Sequence, residues 1–180
     1  MITSPPDTNE SSQSDVFKPS WGLIYSHPAY IIAFTGGVGL SPFAPGTMGT
    51  LAAFPLFWLL HDQLRPIEFL LLIDVMFIIG IWACGLSGKG LGNTDHGGMV
   101  WDETVAFLLV LYFTPNEWVW QLIAFALFRL FDIAKPQPIR HYEQRFKSGF
   151  GVMFDDMVAA FFTLLCLAAW RSWVLMEGYV

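Results

Sequence analysis

The chain has 180 residues, 54% of them hydrophobic and 13% charged, with a mean hydropathy of +0.51. That charged fraction is roughly half the ~25% usual for soluble domains, so composition favours a small membrane protein, and the length suits one domain. A formal charge of -6, with no Lys/Arg cluster outside residues 135–147, argues against nucleic acid as a partner.

Residues 1–20 are polar, rich in Ser, Pro and Asp, and have no apolar signal-peptide core; they read as a disordered tail. The helical domain then occupies residues 21–180. Residues 21–27 suit an interfacial turn, because Trp and Tyr favour the headgroup level. Five glycines and two prolines within residues 31–50 disfavour a regular helix there. A first helix is expected from Thr47 or Thr50 to Leu60, with Thr as a normal N-cap. Residues 61–68 form a polar connection, and residues 69–86 are the clearest membrane-spanning candidate, interrupted only by Asp74. A Gly-rich loop at 87–99 leads into apolar runs at 100–113 and 118–131. A long basic loop at 132–151 precedes a last apolar run at 157–176.

The expected fold is therefore all-α: a small multi-helix membrane protein with about five apolar helices and Gly/Asp-rich cytoplasmic loops. Three of the runs are shorter than the ~20 residues of a straight span. With the 132–151 loop placed in the cytoplasm, Lys18, Lys89, Lys135, Arg140, Arg145 and Lys147 lie inside and Arg65 and Arg171 outside. That bias follows the positive-inside rule, and it puts every Gly/Asp-rich motif on one face.

Asp95, Asp102, Glu103, Asp132, Asp155 and Asp156 all fall near the proposed cytoplasmic helix ends. Acids at the mouth of apolar segments are costly unless compensated. Hard divalent cations such as Mg²⁺ take such oxygen ligands together with substrate phosphate. Each acid taken singly could equally be a solvated or capping residue. Asp102 and Glu103 are neighbours and point about 100° apart on a helix, so one is expected to ligate, Asp102 first, and the other to orient a partner.

Arg129, Asp132 and Lys135 are spaced three apart and share a helical face before Pro136 ends it. Arg129 and Lys135 could clamp a phosphate; an Arg129–Asp132 ion pair explains the first equally well. Lys135 and Arg140 could also be topological charges meeting anionic headgroups. The stretch from Gly36 to Thr50 lacks the P-loop lysine and the dinucleotide fingerprint. It offers a Gly-rich approach to a helix N-terminus, where Thr47, Gly49 and Thr50 could meet an anion. His96, beside Asp95, could donate a hydrogen bond or simply lie on the surface. Cys84 and Cys166 sit in apolar runs as packing residues. No C-x5-R loop, no D-x-D-x-T nucleophile and no zinc spacing among His27, His61 and His141 is present.

In order along residues 21–175 stand Pro45-Gly46-Thr47-Met48-Gly49-Thr50, Asp95-His96-Gly97 with Val100-Trp101-Asp102-Glu103, Phe128-Arg129 with Asp132 and Lys135-Pro136-Gln137-Pro138-Ile139, and Gly149, Gly151, Met153, Asp155-Asp156. This ordered set resembles the phosphatidylglycerophosphatase A family, departing mildly at Thr50, where Ser is usual, and at Phe150. The resemblance implies a Mg²⁺-dependent bacterial inner-membrane enzyme facing the cytoplasm. It would hydrolyse phosphatidylglycerophosphate, a phospholipid, to phosphatidylglycerol and phosphate, the last step in making that lipid. On that scheme Asp95, Asp102, Glu103, Asp132, Asp155 and Asp156 hold metal. Asp102, Glu103, Asp132, Arg129 and Lys135 carry catalysis, and Thr47, Gly49, Thr50, His96 and Arg140 position substrate. Two other classes compete: an ion-coupled transporter, which Asp74 within a span would suit, and a non-catalytic membrane partner whose acids only cap helices. The sequence does not specify an oligomeric state.

Overall fold

The computed structural model describes residues 19–134 and 148–176. Within them the elements are helical, with no strand. Two short helices, α1 (Trp21–Ile24) and α2 (Pro28–Ala33), and a 3-10 segment (Thr35–Leu40) precede five longer helices. These are α3 (Pro45–Leu60), α4 (Pro66–Leu91), α5 (Trp101–Phe113), α6 (Trp118–Ala134) and α7 (Gly149–Met176). The expected tail, except its last two residues, and the basic segment holding Lys135 and Arg140 lie outside the described residues.

Local chemistry sets the helix ends. Pro45 and Pro66 occupy first-turn positions of α3 and α4, where a missing N–H costs nothing and φ is already helical. Glu68 reaches back to accept from the Arg65 backbone N–H at 2.9 Å, closing the start of α4. Gly92, left-handed at φ 68, ends it. The Ser148 hydroxyl accepts from Gly151 N at 3.4 Å at the start of α7.

α5 is the axis of the bundle. Thr104 to Leu108, Val110 and Leu111 are all buried, as expected of a helix apolar on every side. α3, α4, α6 and α7 all pack against it. Thr104 Oγ1 lies 2.9 Å from the Gly49 carbonyl and 2.8 Å from its own Val100 carbonyl, and this shared hydroxyl hydrogen locks α5 to α3. Phe54, Phe107, Phe125 and Phe128 interleave where α3, α5 and α6 meet. The long helices alternate in direction. At one end the Tyr112 hydroxyl donates to the Pro66 carbonyl at 3.3 Å, and Phe57 meets Phe69 edge-on. The starts of α3, α5 and α7 and the finish of α6 therefore share the other end.

Five longer helices are present, as expected, but not all have the length of a span. Among the described residues two helices are long and apolar enough to cross a membrane: α4 and residues Gly149–Trp173 of α7. α3, α5 and α6 have 16, 13 and 17 residues, or about 20–26 Å at 1.5 Å per residue, short of a ~30 Å hydrocarbon core. The outer faces remain apolar: Leu71, Val75, Ile78 and Trp82 on α4 and Phe161 and Trp170 on α7 are exposed. Patches of this kind are rare on soluble monomers. Asp74, the acid that interrupts this apolar run, is exposed on the outer side of α4, because the inward positions there belong to Ile73 and Met76. Cys84 is buried as expected, whereas Cys166 is exposed on α7.

α4 and α7 cross at Gly149, where a Cβ would collide with the Ile81 carbonyl and with Gly85 N and Cα. These are backbone atoms that cannot swing aside. Gly149→Ala is expected to destabilise the fold by about 1–3 kcal/mol, the usual cost of overpacking, read as a lowered midpoint in thermal or denaturant unfolding. An unchanged midpoint would show that the crossing yields freely.

Candidate functional site

At the shared end, four elements contribute acids to one cavity of about 110 Å³. Its wall holds Asp95, Gly97, Met99, Asp102, Glu103, Asp132, Val152, Asp155 and Asp156. Asp102 and Glu103 lie in the first turn of α5, where acids are favoured by the helix dipole. Asp132 comes from the end of α6, Asp155 and Asp156 from the second turn of α7. Asp95 sits on the loop between α4 and α5. That loop is pinned at several points. His96 Nδ1 accepts from Gly98 N at 3.1 Å, Val100 N donates to the Ala33 carbonyl at 2.8 Å, and the His96 ring lies against Phe34.

One carboxylate oxygen from each of Asp102, Glu103 and Asp156 lies within 4.8 Å of the others. The 100° offset between Asp102 and Glu103 is absorbed by the extra methylene of Glu103, so both reach the same spot. Asp102 and Asp156 are buried, at 7% and 5% exposure. Asp102 Oδ1 and Glu103 Oε2 are enclosed with no hydrogen-bond partner, a costly state for a carboxylate. Burial first, and then the Glu103 charge, hold the Asp102 carboxyl well above the usual carboxylate range. Burial and the Asp156 charge push Glu103 up to about 8. An enclosure of hard oxygen donors that resists ionisation by itself fits a divalent cation by the chemistry of its donor set.

Arg129 closes one side. Its Nη1 lies 2.6 Å from Asp132 Oδ2 and 3.9 Å from Glu103 Oε1, and donates to Thr50 Oγ1 at 3.3 Å. Thr50 Oγ1 donates in turn to the Gly46 carbonyl at 2.9 Å. The ion pair considered for Arg129 thus exists, and it stands at the cavity. Gly46 admits this arrangement: a Cβ there would strike Glu103 Oε1 and stand 3.3 Å from both terminal guanidinium nitrogens.

The six acids named from sequence thus share one wall, and Arg129 and Thr50 adjoin it. Gly49 instead serves the α3–α5 crossing, where a Cβ would lie 2.6 Å from Val100 Cβ. His96 braces its loop and is not part of the wall, and Thr47 is half-buried outside it. Lys135 and Arg140 are outside the described residues. Sequence reasoning did not single out Gly46, Met99 or Val152. Gly46 had a signal in its Pro-Gly-Thr motif; the other two are apolar residues with none.

Fold and cavity together define a class: an all-helical protein with apolar outer faces that gathers six carboxylates and an arginine at one end of its bundle. The phosphatidylglycerophosphatase A family model matches residues 31–171. The chain is 40% identical over 150 residues to a phosphatidylglycerophosphatase A of Haemophilus influenzae, covering 83% of this chain and 92% of that one. It is 41% identical over 138 residues to a phosphatidylglycerophosphatase A of Escherichia coli, covering 76% and 80%. A putative phosphatidylinositol-3-phosphatase of Bacteroides thetaiotaomicron is 38% identical over 159 residues, covering 82% and 98%. No solved structure shows a significant match. The chain belongs to the phosphatidylglycerophosphatase A family, and so to a family of enzymes.

Proposed function

We propose that the protein is a Mg²⁺-dependent lipid phosphatase that hydrolyses phosphatidylglycerophosphate to phosphatidylglycerol and phosphate, the last step in forming that lipid. It would work in the bacterial inner membrane, crossing it more than once, with the acid cavity on the cytoplasmic face. The observation that carries this reading is the enclosed carboxylate cavity with its two partnerless buried oxygens, in a chain about 40% identical to named phosphatidylglycerophosphatases.

Asp102, Glu103 and Asp156 would hold the cation, with Asp95, Asp132 and Asp155 available on the same wall for a second ion or its water shell. Bound there, Mg²⁺ supplies the positive charge a phosphate dianion needs among six carboxylates, and acidifies attacking water. The residues of the chain do the rest. Arg129, held by Asp132 and Thr50, presents a guanidinium edge to phosphate oxygens as charge shifts in the transition state. The wall contains no Ser, Cys or His among the described residues, which favours direct in-line attack by water. The P–O ester bond breaks as the new P–O bond forms, and the glycerol oxygen leaves with a proton.

Purified protein in lipid micelles, given phosphatidylglycerophosphate with and without Mg²⁺, tests the assignment: phosphate release that needs the ion supports it. Ion flux in vesicles without hydrolysis would support a transporter instead. A pH series adds a second check. Glu103 has a folded pKa of about 8 against an ordinary 4.5, so the metal-free folded state keeps a proton that the unfolded chain releases. Stability contributed by this group is therefore full below pH ~4.5 and falls as pH rises toward ~8. Metal must displace that proton, so Mg²⁺ affinity should climb over the same interval. Unfolding midpoints at pH 5 and 8, with and without Mg²⁺, read both signs. A metal-free protein more stable at pH 8 than at pH 5 would contradict them.

A further inference from the structure

Beside the acid cavity lies another, of about 130 Å³, lined by Cys84, Gly85, Lys89, Thr94, Ser148 and Gly149. Adjacent stretches of chain line the two. Thr94 lines this one and Asp95, the next residue, lines the first; Gly149 lines this one and Val152, three residues along α7, the first. Adjacent Cα atoms are ~3.8 Å apart and a helical turn rises ~5.4 Å, so the cavities are immediate neighbours.

Their chemistry is opposite in sign. The first holds six carboxylates, while the second has no acid in its wall, and offers one ammonium and two hydroxyls. Lys89 forms no ion pair with a described residue. Cys84, fully buried and a free thiol, lines the same space, and its S–H is a weak donor. The floor is rigid because α4 and α7 meet there at Gly85 and Gly149. A small, fixed, donor-lined cavity next to a phosphate-monoester site suits a second phosphate tethered to the first.

We propose that this cavity binds the phosphodiester of the phosphatidyl headgroup while the acid cavity takes the terminal monoester. The inference rests on the phosphatase reading. A glycerol bridge joins the two phosphates of that substrate, matching two cavities lined by adjacent stretches of chain. The diester is a monoanion, which one lysine neutralises, whereas the monoester is a dianion that needs a divalent ion. Lys89, Thr94 and Ser148 would thereby select phospholipid headgroups over simple sugar or glycerol phosphates.

The test uses two water-soluble compounds with the full chain in detergent. Deacylated phosphatidylglycerophosphate carries diester and monoester; glycerol 3-phosphate carries the monoester alone. Each is read as KM, or as the inhibition constant against intact lipid where turnover is undetectable. Lys89→Gln is expected to raise the constant for the diester compound roughly 10- to 100-fold, the worth of a charge-assisted hydrogen bond. kcat and the glycerol 3-phosphate constant should stay unchanged, and Lys89→Arg should restore most of the loss. Thr94→Val should shift the same constant in the same direction, less strongly. An equal shift for both compounds, or none for either, overturns the inference while leaving the phosphatase reading intact. A Lys89 effect confined to vesicles also overturns it, since the phosphate would then belong to a neighbouring lipid. Wild-type protein that hydrolyses no phosphatidylglycerophosphate sinks both readings.

Discussion

Asp102→Asn is expected to release phosphate about 10³-fold more slowly than the parent chain, the upper range for loss of one electrostatic group at a reacting centre. Its metal-free fold should nevertheless be at least as stable as the parent's. Both signs follow from the same enclosure. Asp102 is buried beside Glu103 and Asp156, where its carboxyl resists ionisation, so a neutral amide of equal size costs little where no cation is present. With Mg²⁺ the order is expected to reverse, because the variant lacks one carboxylate charge and one of its two oxygens, and its thermal midpoint should rise less. Phosphate release and unfolding midpoints, each with and without Mg²⁺, separate a lost site from a lost fold. Undiminished release from Asp102→Asn, and likewise from Glu103→Gln and Asp132→Asn, would end the carboxylate scheme.

Arg129→Gln should have the largest effect on stability, about 3–5 kcal/mol, the usual cost of removing one partner from a buried ion pair. The guanidinium and Asp132 side chains are only 14% and 12% exposed. The change would leave Asp132 and Glu103 facing each other without their shared cation. Arg129→Lys should rescue poorly, since a single ammonium cannot reproduce the fork that reaches Asp132, Glu103 and Thr50 together. Denaturant unfolding measures this directly. An unchanged midpoint in the metal-free glutamine variant would show that the arginine is dispensable to the fold.

The all-helical fold and the gathering of the motifs at one end were legible in the sequence. Gly/Asp-rich segments fell at alternate helix ends, which an up-and-down bundle places together. Helix boundaries were less so. Residues 87–91 read as loop because of Gly88 and Gly90, yet α4 runs through them. There a Cβ at Gly88 would crowd the Thr94 backbone and one at Gly90 would collide with the Tyr30 hydroxyl, so tertiary close approach outweighs propensity. α7 likewise starts at Gly149, well before its apolar run, because Ser148 caps it. The outward face of Asp74 was beyond reach, since a helix apolar on all sides carries no periodic signal of which side is inward. For Arg129 the spacing allowed a phosphate clamp or an ion pair as alternatives; one guanidinium at the cavity edge can do both in turn. The Lys89 cavity had no sequence signature, because its walls come from three stretches that are individually ordinary.

α5 spans only 13 residues, about 20 Å, while α4 and α7 beside it are twice as long. If α4 and α7 cross a bilayer ~30 Å thick across its hydrocarbon, as proposed above, the acids at the head of α5 would sit beneath the surrounding lipid surface, in a depression walled by the longer helices. Lipid around such a depression would thin or tilt to meet it. On that reading a phospholipid in that leaflet would not need to be lifted out into water to reach the carboxylates.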